Sequence, residues 1–199
     1  RDVVQTSFRA LRHRNFRLYW TGQLISLIGT WMQSVAQGWL MHRLTSSPLM
    51  LGLLGFSQFF PVMVLSLWAG AVIDAIDKRR LLMLTQAAFL ALAVTLAILV
   101  TAGVVRPWML LALAFGFGIV NAFDLPGRQS FAVEMVGKED LSNAIALNSA
   151  AFNTARVLGP ASAGVLLATV GEAGCFWANA VSYVAVLTGL LRMDMAVRP

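Results

Sequence analysis

Arg156 interrupts a stretch from Asp140 to Glu172 that otherwise carries no acidic or basic side chain. A cation on an apolar helix at membrane depth costs about 2.5 to 3.5 kcal/mol even on a lenient insertion scale. Such a residue needs compensation: a place in a transport path or gate, an anionic group to bind, or backbone carbonyls that fix packing. Ser149, Asn153, Arg156 and Pro160 recur at three- and four-residue offsets and so share one helix face. Ser26, Thr30, Gln33 and Gln37 form a second polar stripe with the same spacing. Two roles fit these stripes, interhelical hydrogen bonding that glues a bundle and the lining of a substrate cavity. Gln33, Gln37, Asn153 and Arg156 are the candidate cavity residues, with Trp31 and Trp177 as aromatic flanks.

Other chemistry finds little support. An intramembrane enzyme needs a nucleophile with its base, a carboxylate pair or a metal cluster. The two histidines, His13 and His42, fall near helix ends, Cys175 is single, and no Asp or Glu lies deep inside an apolar run. No enzyme activity, cofactor or metal is therefore expected. The coupling carboxylate of any proton-driven process is expected at the margins of these runs or outside this sequence.

The elements that must position these residues are six long runs free of charge apart from Arg156: Arg17 to Arg43, Arg43 to Asp74, Arg80 to Arg106, Arg106 to Asp124, Asp140 to Glu172 and Glu172 to Arg192. Roughly 18 or more apolar residues let a helix cross the hydrocarbon core. Hydrophobic residues make up 58% and charged ones 12% of the chain, too few charges to cover a water-exposed globule. The expected architecture is an all-α membrane protein, a six-helix transmembrane bundle over 16–192 between a basic amino-terminal segment, 1–15, and the start of a linker, 193–199. Helices are expected over about 16–42, 48–74, 80–103, 108–124, 141–169 and 175–192. Pro126-Gly127 is read as the stop of the fourth, with Phe131, Val133, Met135 and Val136 of the following segment lying on the membrane surface. Gly171 to Gly174 is read as an outer turn, and Tyr19, Trp20 and Trp39 as interfacial belts.

Twelve of the fifteen basic residues fall in segments that share one side if both ends are cytoplasmic, and only Arg43 and Arg106 fall on the other. That asymmetry follows the positive-inside rule and predicts cytoplasmic termini. These cations stand beside membrane spans and face anionic headgroups, so the net charge of +6 does not point to nucleic acid. Gly52, Gly55, Gly116, Gly118, Gly159 and Gly164 are candidate points of close helix approach, and Pro160 is a candidate kink. The chain does not begin with Met and stops just past its last apolar run, as an excerpt of a longer protein does, and no cleavable signal peptide is visible.

The stretch Gly70-Ala-Val-Ile-Asp74-Ala-Ile-Asp77-Lys78-Arg79-Arg80 resembles motif A of the major facilitator superfamily, with Ala75 and Asp77 where that motif usually has a basic residue and a glycine. Arg156-Val-Leu-Gly159-Pro160-Ala-Ser-Ala-Gly164 is similar to the Gly-Pro motif of that superfamily's antiporters. Pro126-Gly127-Arg128-Gln129, Leu141-Ser-Asn143-Ala144 and Gly174 to Tyr183 resemble the branch holding the enterobactin exporter and macrolide efflux proteins. The resemblance covers nearly the whole chain and implies the first six of twelve helices, built as two inverted three-helix repeats. It implies alternating-access export of a small amphipathic solute such as a drug or siderophore, by proton antiport in a bacterial inner membrane. The implied partners are the small-molecule substrate, protons, lipid and a second six-helix half. Asp74 is implied to close the inward side against a helix of that second half, and Asp124 to pair with Arg79 or Lys78. Uptake rather than export, or a non-transporting subunit or receptor, are the alternatives.

Overall fold

Proline and left-handed turns set the helix boundaries. In a computed structural model, residues 9–193 apart from Lys138 are described. After a short 3-10 turn at Arg9–Arg12 the chain forms α1 (Arg14–Thr45), α2 (Pro48–Ala75), α3 (Lys78–Thr101), α4 (Pro107–Val136), α5 (Leu141–Thr169) and α6 (Gly171–Leu191). Pro48 and Pro107 open their helices, where the missing N–H has no intrahelical partner to lose. Asp77 caps α3 by accepting from the Arg80 amide at 2.8 Å. Gly137 and Gly171 take positive φ values of 70° and 72°, which lets the chain reverse directly after α4 and α5.

Two boundaries differ from expectation. Helix α4 runs straight through Pro126-Gly127 to Val136. A proline inside a buried helix is tolerated where neighbouring helices hold the freed backbone groups, and Asp124 and Arg128, one turn apart, join their side chains across this stretch. Phe131 and Val136 consequently lie in the core rather than on a membrane surface, packed with Phe16, Tyr19, Leu82 and Leu190. Gly171 to Gly174 is the first turn of α6, not a separate outer turn.

The shortest of the six helices has 21 residues, about 32 Å at the helical rise and enough for a hydrocarbon core of about 30 Å. Four helices, α2, α3, α4 and α6, are both long and apolar enough to cross a membrane. The other two, α1 with 32 residues and α5 with 29, are long enough but carry the two polar stripes.

Helix α1 packs on α5 and α6, α2 on α4, and α3 on α4 and α6. One apolar cluster, around Phe16, Tyr19 and Phe131, closes the end where the chain enters. Another, around Leu40, Leu96, Leu110 and Phe176, closes the opposite end. The polar side chains lie between them. Small residues bring the helices together: a side chain at Gly159 would strike Trp31 and sit 3.0 Å from the Ile28 carbonyl of α1, and one at Gly118 would strike the Gln58 carbonyl of α2. Gly52, Gly55 and Gly164 face open space instead.

Candidate functional site

A cavity of about 1130 Å³ opens between α1 and α5 on one side and α2 and α4 on the other. Helix α1 contributes Tyr19, Gln23, Ser26, Thr30, Trp31 and Ser34, α4 contributes Phe117, Asn121, Arg128 and Gln129, and α5 contributes Asn148, Ser149, Phe152 and Asn153. Gln58, Gln86 and Tyr183 reach it from α2, α3 and α6. Aromatic contacts stiffen the walls: Phe89 packs on Phe117 at 4.7 Å between ring centres and stacks on Tyr183 at 5.5 Å, and Trp31 meets Phe152 edge-on at 5.7 Å. The Tyr183 hydroxyl lies 3.1 Å from Thr30 Oγ1. A pocket of this size, with aromatic walls and dispersed amide and hydroxyl groups, suits a small amphipathic molecule.

Arg128 is the single Asp, Glu, Lys or Arg among the lining residues. Its Nη2 forms an ion pair with Asp124 Oδ2, and its Nη1 donates to Gln23 Oε1 at 2.9 Å. Asp124 is fully buried, and its Oδ1 accepts from Thr85 Oγ1 at 2.6 Å and from Gln86 Nε2 at 2.9 Å. A fourth helix ending at residue 124 would put Asp124 at the margin of its span; with α4 continuing to Val136, Asp124 is an interior residue. The signal for it was the Asp124-x-x-x-Arg128 spacing, which sets opposite charges one turn apart on a helix.

Several expected residues lie elsewhere. Gln33 is buried against α6, where its Oε1 accepts from Asn179 Nδ2 at 2.7 Å, and Gln37 is buried too; neither lines the cavity. Trp177 donates to Thr101 Oγ1 at 3.1 Å away from the cavity, whereas Trp31 and Asn153 line it. Tyr19 is buried and faces the cavity instead of forming an interfacial belt. Arg156 is exposed on α5, one turn beyond Phe152 and Asn153, and is not a lining residue. Pro160 sits within an unbroken α5, one residue past the Gly159 contact with α1.

The motif A residues divide into two groups. Gly70 and Asp74 are exposed near the C-terminal end of α2, with Asp74 making no ion pair among the described residues. Arg79 is committed to the end of α6, its Nε and Nη2 donating to the Leu190 carbonyl at 3.0 and 2.7 Å. Lys78 lies 3.8 Å from Glu134. The acid of helix 4 thus takes Arg128 as partner, not Arg79 or Lys78, because Asp124 lies inside α4 and the basic cluster sits at the tip of α3. Arg80 is exposed. On the same end of the molecule Arg9 and His13 lie 3.3 and 2.9 Å from Asp140 at the start of α5.

A six-helix membrane bundle around a polar and aromatic cavity defines the class, and comparison with known proteins agrees. A family profile described as "transmembrane secretion effector" matches residues 5–199, and the chain belongs to this family of the major facilitator superfamily. It is a multi-pass integral membrane protein. The staphyloferrin A transporter of Staphylococcus aureus (strain NCTC 8325 / PS 47) is 29% identical over 173 residues, 86% of this chain and 44% of the relative. The multidrug efflux pump Tap of Mycolicibacterium fortuitum is 27% identical over 181 residues, again 86% of this chain and 44% of the relative. An uncharacterized MFS-type transporter of Bacillus subtilis (strain 168), YfiS, is 26% identical over 162 residues, 81% of this chain and 38% of the relative. The chain therefore spans less than half the length of these relatives. No solved structure matches it.

Proposed function

We propose that this chain corresponds to the amino-terminal six-helix half of a transporter that exports a small amphipathic molecule across a bacterial plasma membrane by alternating access, coupled to protons. The observation that carries this reading is the open cavity of about 1130 Å³ between helices of which four are long and apolar enough to cross a membrane. Export rather than uptake is favoured by the description of the family and by the likeness to the Mycolicibacterium efflux pump. All six helices cross the membrane in this reading, since α1 and α5 turn their polar faces toward the cavity and their neighbours rather than toward lipid. Both ends of the segment are cytoplasmic in this reading, which the positive-inside distribution of basic residues supports.

The packing pattern supports two inverted three-helix repeats. Exchanging α1–α3 with α4–α6 maps the α1–α5 contact onto α4–α2, the α1–α6 contact onto α4–α3, and α3–α6 onto itself. The remaining partner is a second six-helix half. Helix α5 carries Asn153 and Arg156 on an exposed face, and these polar groups fit a protein or aqueous neighbour better than hydrocarbon. Asp74 fits the same neighbour: an acid near a helix C-terminus is disfavoured by the helix dipole and gains by meeting the N-terminus of another helix. In this reading Gly70 and Asp74 form the inward latch, Asp77 to Arg80 brace its turn, and the Arg156-Gly159-Pro160-Gly164 segment is the part of α5 that shifts as the halves rock.

The test is flux through the full-length protein in liposomes. With the cytoplasmic face outward and the lumen acidic, ethidium is expected to accumulate inside, and dissipating the pH difference should stop it. Accumulation unaffected by the gradient removes proton coupling, and uptake only in the reverse orientation contradicts export.

A further inference from the structure

Three buried polar atoms at the cavity wall have neither a hydrogen-bond nor an ion-pair partner among the described residues: Gln23 Nε2, Arg128 Nε and Gln86 Oε1. Gln23 and Gln86 are 4% and 1% exposed, and all three residues line the cavity. Charge decides which end of each amide is idle. Gln23 Oε1 accepts from Arg128 Nη1 at 2.9 Å, and Gln86 Nε2 donates to Asp124 Oδ1 at 2.9 Å. Flipping Gln23 would turn its N–H groups onto the guanidinium, and flipping Gln86 would turn its carbonyl oxygen onto the carboxylate, so neither amide exchanges its ends. The wall therefore holds two idle donors, from α1 and α4, and one idle acceptor, from α3.

The charges behind these atoms are already matched. Arg128 Nη2 pairs with Asp124 Oδ2, and Asp124 Oδ1 is held by Thr85 and Gln86. A charged group of either sign bound here would leave net charge among Tyr19, Phe89, Phe117 and Tyr183, where an unmatched charge is costly. An uncharged polar group carries no such penalty. Phe89 lies one turn from Gln86 on α3 and packs with Phe117 and Tyr183, so a ring attached to that group meets an aromatic surface.

We propose that Gln23, Arg128 and Gln86 form a subsite for an uncharged carboxamide borne on an apolar or aromatic ring of the transported molecule. The proposal rests on the transport reading above. A carboxamide oxygen has two lone pairs for the two idle donors, and the adjoining N–H donates to Gln86 Oε1. A ketone or ester fills the donors but leaves Gln86 idle. A carboxylate adds a charge and sets a second oxygen against Gln86 Oε1. The idle atoms lie just beneath the wall, so wall side chains turn aside as the group enters, a change of rotamer that binding commonly brings. No bond is made or broken, and no proton changes place. Charge elsewhere on the molecule is not restricted by this subsite.

The test uses the full-length protein in lipid nanodiscs and three fluorescent probes of nearly one shape, substituted at the same ring position: pyrenecarboxamide, acetylpyrene, in which a methyl group replaces the amide nitrogen, and pyrenecarboxylate. Binding is read against empty nanodiscs of the same lipid, which removes partition into the bilayer. The wild type is expected to bind the carboxamide about tenfold or more tightly than either other probe, because only the carboxamide supplies a donor for Gln86. Q86M should bring the carboxamide and acetyl affinities to within about twofold of each other. Q23M should weaken both by a similar factor and keep the preference, since both probes carry the acceptor that Gln23 meets. The wild-type comparison needs no variant, so a variant that fails to fold still leaves the proposal open to refutation. Equal binding of the carboxamide and acetyl probes by the wild type means that the idle atoms serve water alone, and it overturns the proposal. So does tightest binding of the carboxylate, or a carboxamide preference that survives in Q86M. A wild type that pumps ethidium in the flux assay yet binds the probes equally contradicts the subsite alone, and one that keeps the ratios yet moves no solute contradicts the transport reading and leaves the subsite standing.

Discussion

Replacing Asp124 with Ala should be among the most damaging single changes in this bundle, and the reason can be worked from its partners. The carboxylate is fully buried and holds Thr85, Gln86 and Arg128 at once. Its removal strands the Arg128 cation and leaves the Gln86 amide without its acceptor. Breaking a buried pair from one side costs about 3–5 kcal/mol. The comparison is Arg43–Glu172, also a close pair at 2.8 Å, whose Arg side chain is 55% exposed. Arg43→Ala should therefore cost no more than about 1 kcal/mol. The double change Asp124→Asn with Arg128→Gln leaves no unpaired charge and should recover most of the loss, to within about 1–2 kcal/mol of the parent. Reversible unfolding of the full-length protein in mixed bicelles, followed by tryptophan fluorescence, gives all four stabilities. Equal losses at the buried and exposed pairs, or a loss below about 1 kcal/mol for Asp124→Ala, would refute the reasoning.

Other changes separate packing from polar contacts. Gly159→Leu should destabilise by about 1–3 kcal/mol or prevent folding in the same unfolding assay, because its side chain meets Trp31 and the α1 backbone. Asn179→Leu removes the donor to Gln33 and should cost about 1–2 kcal/mol, with a smaller loss when Gln33 is changed to Leu as well. Cys175 is buried and should resist a membrane-impermeant maleimide in the intact protein. A cysteine at Val104 should then react from outside intact cells and one at Ile76 only after the membrane is opened; the reverse pattern would overturn the proposed orientation.

The membrane class was legible because charge-free runs of helix length leave the chain little alternative. The start of α5 and of α2 was equally plain, the latter from Ser47-Pro48. The end of α4 was not, since Pro126-Gly127 is a stop signal for a helix in water, and the tolerance of proline here depends on helices packed around it. That one misplaced boundary hid Asp124 as an interior acid and placed Phe131 outside the core. The polar stripe on α1 identified a face that avoids lipid but not which neighbour it meets. Consecutive residues differ by about 100° around a helix, so Ser34 faces the cavity while Gln33 turns to Asn179 on α6. Arg156 was legible as unusual for its surroundings, but its exposed position depends on which helices flank α5, and no spacing within one helix encodes that.

Whether the cavity is a translocation path can be measured without knowing the substrate. Ser149 is exposed on α5 and lines the cavity, so a cysteine there, in the full-length protein with Cys175 retained, reports which aqueous phase reaches it. Alternating access predicts reaction with a membrane-impermeant thiol reagent added from either side of the membrane, with a transported solute shifting the two rates in opposite directions. Reaction from one side only, unchanged by any solute that the protein moves, would contradict it.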